Sequence, residues 1–321
     1  MITLSIIVPV YGVECFILSF ANSLIKQLNE NVELIIIDDG SQDKSIANIK
    51  QFICENNFSS ENIVFLEQVN QGQSAARNYG ISVAKGRYIT FLDPDDMVKS
   101  NYIELILDVL TSEKNIDILE FNADIVKNIK NKIIKVRDLK LCEKSGFYDN
   151  DFDTRKKLIN SRHWYSWLRV FRREMIPEDL FPKGYIFEDI MALPFLYSED
   201  IAVYGLNQSL VNYFLHENSS VSKPSLKIVE SAKHGIEIYK HAVKNDEIFL
   251  GKYVDFIEIY SKHCIKYYGL FEGIRKSSQV VKVLKINHNL RDINSFYVGN
   301  LFKLNLFLYY LYLCTVKFLK K

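Results

Sequence analysis

The sequence predicts an open α/β fold with a mostly parallel sheet, and three observations carry that expectation. Short apolar runs without strict alternation recur through the first hundred residues, as parallel strands buried on both faces require. Segments with helical spacing of apolar residues separate them. Polar clusters stand just after the runs, at the strand ends where open α/β sheets bind their ligands.

The elements follow in order. Ser5–Val10 (S-I-I-V-P-V) is the first strand, and Val13–Gln27 a helix with Phe16, Phe20, Leu24 and Gln27 at helical spacing. Glu33–Ile37 is the second strand, and Ser45–Glu55 a helix with Ile46, Ile49 and Ile53 on one face. Ile63–Leu66 and Tyr88–Leu92 are two further strands with a helix across Ser74–Ala84 between them. Beyond them the pattern is less regular. Lys127–Lys140 mixes Lys and Arg with Ile and Val, which predicts an exposed hairpin. Trp164–Arg173 is aromatic and basic. Glu188 and Asp189 open a helix over Ile190–Tyr197 that Pro194 interrupts, and Ala202–Leu215 reads as strand, turn and strand. From Leu226 the pattern is helical and aromatic.

Composition narrows the function classes. The chain has 321 residues, 48% of them hydrophobic, and a formal charge of +1, which argues against a general nucleic-acid binder. From Glu217 onward 17 Lys and Arg stand against 9 Asp and Glu, while the first 216 residues hold 23 against 30. An acidic catalytic part followed by a basic tail suits an enzyme working beside an anionic surface. The five cysteines are scattered without a C-x-x-C pair, and Met1–Val10 lacks the features of a signal peptide, so a reducing cytoplasm is the expected location.

The strand-end clusters carry the chemistry. Asp93-Pro94-Asp95-Asp96 offers carboxylates that are expected to converge on a hard cation, Mg²⁺ or Mn²⁺, whose coordination substrate phosphates complete. The competing reading is a plain turn with Asp96 capping the next helix. Asp38-Asp39-Gly40-Ser41 lies where a base or ribose crosses the strand ends, since a carboxylate accepts the imide N–H of uracil. The alternative there is a turn with Asp43 as helix N-cap. Asn70–Asn78 begins a helix whose N-terminus suits an anion, with Arg77 placed to pair with a diphosphate. Glu188-Asp189 supplies a general-base candidate, although acidic residues at a helix start also serve its dipole.

These segments together resemble the GT-A fold of family 2 glycosyltransferases. The matching stretches are S-I-I-V-P-V-Y at 5–11, E-L-I-I-I-D-D-G-S-Q-D at 33–43, N-Q-G-Q-S-A-A-R-N at 70–78, G-R-Y-I-T-F-L-D-P-D-D at 86–96, W-L-R-V-F-R-R-E at 167–174 and F-E-D-I at 187–190. The resemblance covers about residues 3–220 and is specific in the order and spacing of its motifs. It implies a nucleotide-diphospho-sugar transferase fold, with an open, mostly parallel Rossmann-like sheet in a catalytic domain over 1–220. Within it, 1–100 would be the nucleotide-binding half and 101–220 the acceptor side, followed by a helical basic-aromatic region over 221–321.

The resemblance also implies roles. Pro9, Tyr11, Asp39, Arg77 and Asp93 would contact the nucleotide-sugar. Asp95 would be the main metal ligand and His216 a second group near the metal or diphosphate. Asp189 would be the base, supported by Glu188. Gly12 stands where the family often has Asn, and Arg169 where Lys is more frequent.

The expected activity is inverting transfer of a hexose or N-acetylhexosamine from a UDP-sugar to a hydroxyl of a saccharide acceptor, lipid-linked, in bacterial surface-polysaccharide assembly. A nucleotidyltransferase would show a Gly- and Lys/Arg-rich loop after the first strand, and Tyr11-Gly12-Val13-Glu14 is not one. A catalytically silent nucleotide-binding or scaffold protein would show erosion of Asp95 or Asp189, and both are intact. A dehydrogenase lacks its G-x-G-x-x-G here, and a membrane-embedded polymerase lacks a run of about 20 apolar residues. Leu304–Val316 as a helix spans about 20 Å, short of a roughly 30 Å hydrocarbon core. With its aromatic residues and flanking lysines it suits peripheral contact at the inner face of the cell membrane, or packing against the enzyme.

Overall fold

The computed structural model describes residues 1–129, 132–161, 163–197, 199–215 and 223–287. The described residues divide into two compact units: those within 1–155, 161–184 and 188–215 form the first, and those within 156–160, 185–187 and 223–287 the second.

In the first unit the elements alternate as the apolar runs predict: β1 (Leu4–Val10), α1 (Ile17–Leu24), β2 (Val32–Asp38), α2 (Ser45–Glu55), β3 (Ile63–Glu67), α3 (Gln73–Val83) and β4 (Tyr88–Phe91). β1 is buried along its whole length and β2 over all but its last residue, which explains why neither run alternates. β3, β2, β1 and β4 lie side by side in that order and run parallel, so their carboxyl ends share one rim. α3 packs closely over this half because Gly80 carries no side chain: a Cβ there would meet Ile7 at 2.5 Å.

The chain continues through β5 (Met97–Val98), α4 (Tyr102–Ser112), β6 (Ile118–Ile129), β7 (Lys132–Leu139), β8 (Gly146–Phe147), α5 (Phe152–Ile159), β9 (Arg169–Arg172), α6 (Glu188–Ala192) and β10 (Val203–Phe214). Beyond β4 the strand order is β9, β6, β10, β5, with β7 beside β6 and β8 beside β10. β9 runs antiparallel to β4 and β6, and β10 parallel to β6.

Two details differ from the sequence expectation. The first helix starts at Ile17, because Val13–Phe16 forms a turn in which the Val13 carbonyl accepts from the amides of Phe16 and Ile17. Residues 203–214 form one strand rather than two: a register shift between Leu206 and Ser209 absorbs the polar Asn207-Gln208, pairing to β6 resumes at Ser209 opposite Asn122, and a second shift precedes Val211. Asn207 anchors this break by accepting from Asn122 Nδ2 at 3.0 Å. β6 and β7 form the expected exposed hairpin.

The second unit is helical: α7 (Leu226–Asn245), α8 (Leu250–Tyr268) and α9 (Leu270–Asn287). α7 begins at an N-cap in which Ser225 Oγ accepts from the Ile228 amide. It buries Ile228, Ala232, Ile236, Tyr239 and Val243, a helical stripe. Gly235 lets α8 approach, since a Cβ there would overlap the Phe256 ring. Among the described residues no helix is long and apolar enough to cross a membrane. Leu304–Val316 lies outside the described residues.

Candidate active site

The site is assembled around Arg77, which α3 presents 1% exposed beneath the strand-end rim. Its Nη2 donates to Asp93 Oδ1 at 2.8 Å, just past β4, and its Nη1 to Glu188 Oε1 at 2.7 Å, with Asp189 Oδ1 at 3.4 Å. Burial opposes the guanidinium charge, but Asp93, Asp189 and Glu188 outweigh it and hold its pKa above the ordinary value. The Phe181 ring lies 5.4 Å from the guanidinium carbon. Gly72, at φ +87, turns the chain into α3, a conformation that favours glycine.

Asp189 is held from both sides. Its Oδ2 accepts from the Ser166 amide at 3.1 Å, and Oδ1 faces Arg77. Burial pushes its pKa up to about 7; Arg77 pulls it down, and Glu188 and Asp93 push it further up. A carboxylate near neutrality at the start of a short helix is poised to take a proton. Glu188 is buried and accepts a second bond, from Gln73 Nε2 at 2.6 Å.

The carboxylates of residues 93–96 do not converge as expected. Asp93 is turned to Arg77, while Asp96, buried, accepts from the Phe214 amide at 2.8 Å. Burial, with Asp95 and Asp93 beside it, raises the Asp96 pKa well above the carboxylate range. Asp96 therefore does not cap the next helix, whose N-cap is Asn101. Among the described residues no three His, Cys, Asp or Glu side chains come together in a metal-holding group. Asp95 remains half-buried at the turn. The fit to a hard cation is thus with one or two carboxylates, Asp95 and the second oxygen of Asp93. That is the way Mg²⁺ is held when a diphosphate and water supply the other ligands.

Asp39 closes the loop between β3 and α3. Its buried carboxylate accepts from the amides of Gln71 and Gly72, each at 2.8 Å, and from Gln68 Nε2 at 2.7 Å. Asp38 holds the Ser41 amide at 2.8 Å. Asp43 accepts from the Ser45 amide at 3.0 Å, which starts α2. Pro9 is buried in β1 opposite Ile37, and Tyr11 is exposed just beyond the strand end. The fold thus brings Arg77, Asp93, Glu188 and Asp189 into direct contact and gives Asp39 a separate place on the neighbouring loop. His216 lies outside the described residues.

Six further residues take part that were assigned no role from the sequence. Gln73 and Ser166 have no local signal. Tyr165, Trp167 and Tyr213 stack with ring centroids 5.0–5.8 Å apart. Burial raises the pKa of both phenols, with Asp189 adding to the rise at Tyr165, and Tyr165 and the three aspartates of 93–96 adding to it at Tyr213. Finally, Arg169 is wholly buried; its Nε donates to Glu120 Oε1 at 3.0 Å and to the Tyr197 hydroxyl at 2.8 Å. Its Nη1 donates to the carbonyls of His163 and Tyr165. Glu120, Asn122 and Asp124, alternating within the apolar run of β6, are the signal that such a network exists.

Comparison with known proteins agrees with this architecture. The model of the family described as glycosyl transferase family 2 matches residues 5–178. The uncharacterized glycosyltransferase YibD of Escherichia coli K12 is 29% identical over 286 residues, which is 87% of this chain and 81% of that protein. The minor teichoic acid biosynthesis protein GgaB of Bacillus subtilis is 42% identical over 120 residues, covering 36% of this chain but only 13% of that protein. The crystal structure of Staphylococcus aureus TarS 1-349 in complex with UDP-GlcNAc superimposes with a TM-score of 0.62 at 15% identity, covering 87% of this chain and 88% of that one. The likeness to this structure shows that the two chains share a fold. The match over residues 5–178 makes the chain a family 2 glycosyltransferase.

Proposed function

We propose that the protein transfers a hexose or N-acetylhexosamine from a nucleotide-sugar, UDP-linked, to a hydroxyl of a lipid-linked saccharide, with inversion at the anomeric carbon. The observation that carries this reading is the Arg77 clamp. One buried guanidinium gathers Asp93, Glu188 and Asp189 at the strand-end rim and leaves Asp189 near neutral pKa.

In this reading Asp189 takes the proton of the acceptor hydroxyl. The acceptor oxygen bonds the anomeric carbon on the face opposite the diphosphate, and the bond to the diphosphate breaks with its electrons leaving on the nucleotide. General-base help of this kind contributes about 10²–10⁴-fold. The Ser166 amide and Arg77 keep the carboxylate aimed, and Glu188, tied to Gln73, keeps Arg77 in place. The aromatic wall of Tyr165, Trp167 and Tyr213 excludes water on one side. Asp95, with Asp93, would hold Mg²⁺ or Mn²⁺, and His216 would stand near it. When bound, the cation supplies positive charge against the departing diphosphate. Pro9, Tyr11 and Asp39 would flank the nucleotide, Asp39 by holding the 68–72 loop as well as by contact.

GgaB, by its name a teichoic acid biosynthesis protein, and TarS, seen with UDP-GlcNAc, support a UDP-sugar and a surface-polymer acceptor. The acceptor would be met at the cytoplasmic face of the cell membrane. A panel of UDP-, GDP- and TDP-sugars, scored for Mn²⁺- or Mg²⁺-dependent release of the nucleoside diphosphate, tests the reading. Release from one UDP-sugar is expected. Release of pyrophosphate from a nucleoside triphosphate and a sugar phosphate would make the protein a nucleotidyltransferase, and binding without release a silent nucleotide-binding protein.

A further inference from the structure

The hairpin of β6 and β7 has two unlike faces. Its register sets Ile129 opposite Lys132, Lys127 opposite Ile134 and Ile125 opposite Arg137, and directly paired residues share a face. The other face carries Asp124 opposite Asp138, Val126 opposite Lys135 and Asn128 opposite Ile133. On that second face the charges are settled internally: Lys135 Nζ lies 2.9 Å from Asp124 and 2.5 Å from Asp138, and Lys99 Nζ 2.8 Å from Asp124.

The first face is not neutralised. Lys127, Lys132 and Arg137 are exposed, and no ion pair joins any of them to an acidic side chain among the described residues. Between them Ile129 and Ile134 are 49% and 46% exposed. Solvated lysines alone are the common protection of an edge strand. Two isoleucines left in water among uncompensated cations are not explained by it. A second copy of this chain is a poor occupant, because a two-fold contact through this face sets its uncompensated Lys127, Lys132 and Arg137 against their own copies. A soluble polyanion would use the cations and leave the isoleucines exposed. Only an anionic lipid surface takes both.

We propose that this hairpin face docks on an anionic membrane surface, with Ile129 and Ile134 entering the headgroup–acyl boundary and Lys127, Lys132 and Arg137 meeting lipid phosphates.

The test is partitioning of the full chain onto vesicles at low salt, read without turnover. Phosphatidylglycerol vesicles are expected to bind it and phosphatidylcholine vesicles not. Each basic residue near an anionic leaflet is worth about 5-fold in partitioning, so Lys127→Gln, Lys132→Gln and Arg137→Gln together should weaken it roughly 100-fold. Ile129→Ser with Ile134→Ser should weaken it as well. All five side chains are exposed, and an unchanged melting temperature shows that the variants fold. Three results overturn the proposal. The parent chain does not bind phosphatidylglycerol; the triple variant binds like the parent, which moves attachment elsewhere in the chain; or the serine variant binds unchanged while inorganic polyphosphate displaces the parent, which makes the face a polyanion site.

Discussion

Arg77 donates to Glu188 at 2.7 Å across 111 residues of chain, with both groups buried. The pair ties α3 to the start of α6 and sets the distance between the strand-end rim and Asp189. Arg77→Met leaves Asp93, Glu188 and Asp189 clustered without their cation. Breaking one side of a buried pair costs about 3–5 kcal/mol, and denaturant unfolding should show a loss of that order. Arg77→Lys keeps the charge but not the planar fork. Its stability should fall less, while turnover should still drop.

The pH dependence follows from Asp189. Burial raises its pKa above the unfolded value to about 7. A raised folded pKa means the folded state holds this proton more tightly than the unfolded chain. The stability linked to it is full below the unfolded carboxylate pKa and lost as pH rises through about 7. Activity runs the other way, because only the carboxylate accepts the acceptor's proton. Turnover should climb with a midpoint near pH 7, and the melting temperature of Asp189→Asn should gain on the parent as pH rises through that range.

Asp95→Asn should abolish cation-dependent transfer and cation-dependent nucleotide binding while leaving the melting temperature within a degree or two. Asp96→Asn should behave differently, since Asp96 points inward to the Phe214 amide. Its effect should be on stability, with cation dependence retained. Equal transfer with and without a chelator would remove the cation from the account.

The Arg169–Glu120 pair is wholly buried, and removal of one member alone should be costly. Arg169→Met should destabilise by about 3–5 kcal/mol, and the double variant Glu120→Leu/Arg169→Met should recover most of that loss. Arg169 also holds the carbonyls of His163 and Tyr165, next to the Ser166 amide that meets Asp189. The recovered double variant should therefore keep its stability and still show an altered pH midpoint of turnover.

Much of this was legible in the sequence because strand ends are legible. Non-alternating runs located β1, β2 and β4, and the residues just after them had to reach the rim. Glu188-Asp189 at a helix start was equally local. What was not legible is where each side chain turns. Arg77 read as a group for a diphosphate, but three carboxylates distant in sequence claim its guanidinium. Asp96 read as a helix cap or cation ligand, but a strand 118 residues on supplies an amide to it. Ala202–Leu215 read as two strands because Asn207-Gln208 looks like a turn. Pairing along β6 overrides that local signal.

The central claim is that Asp189 is the base of a sugar transfer, and the most direct measurement compares the parent with Asp189→Asn on the UDP-sugar that the donor panel selects. Donor binding, by calorimetry, and transfer to a saccharide acceptor, by product formation, are read on the same preparations. With Asp189 as the base, donor affinity should be unchanged and transfer reduced by about 10²–10⁴-fold. Near-normal transfer by Asp189→Asn would contradict it.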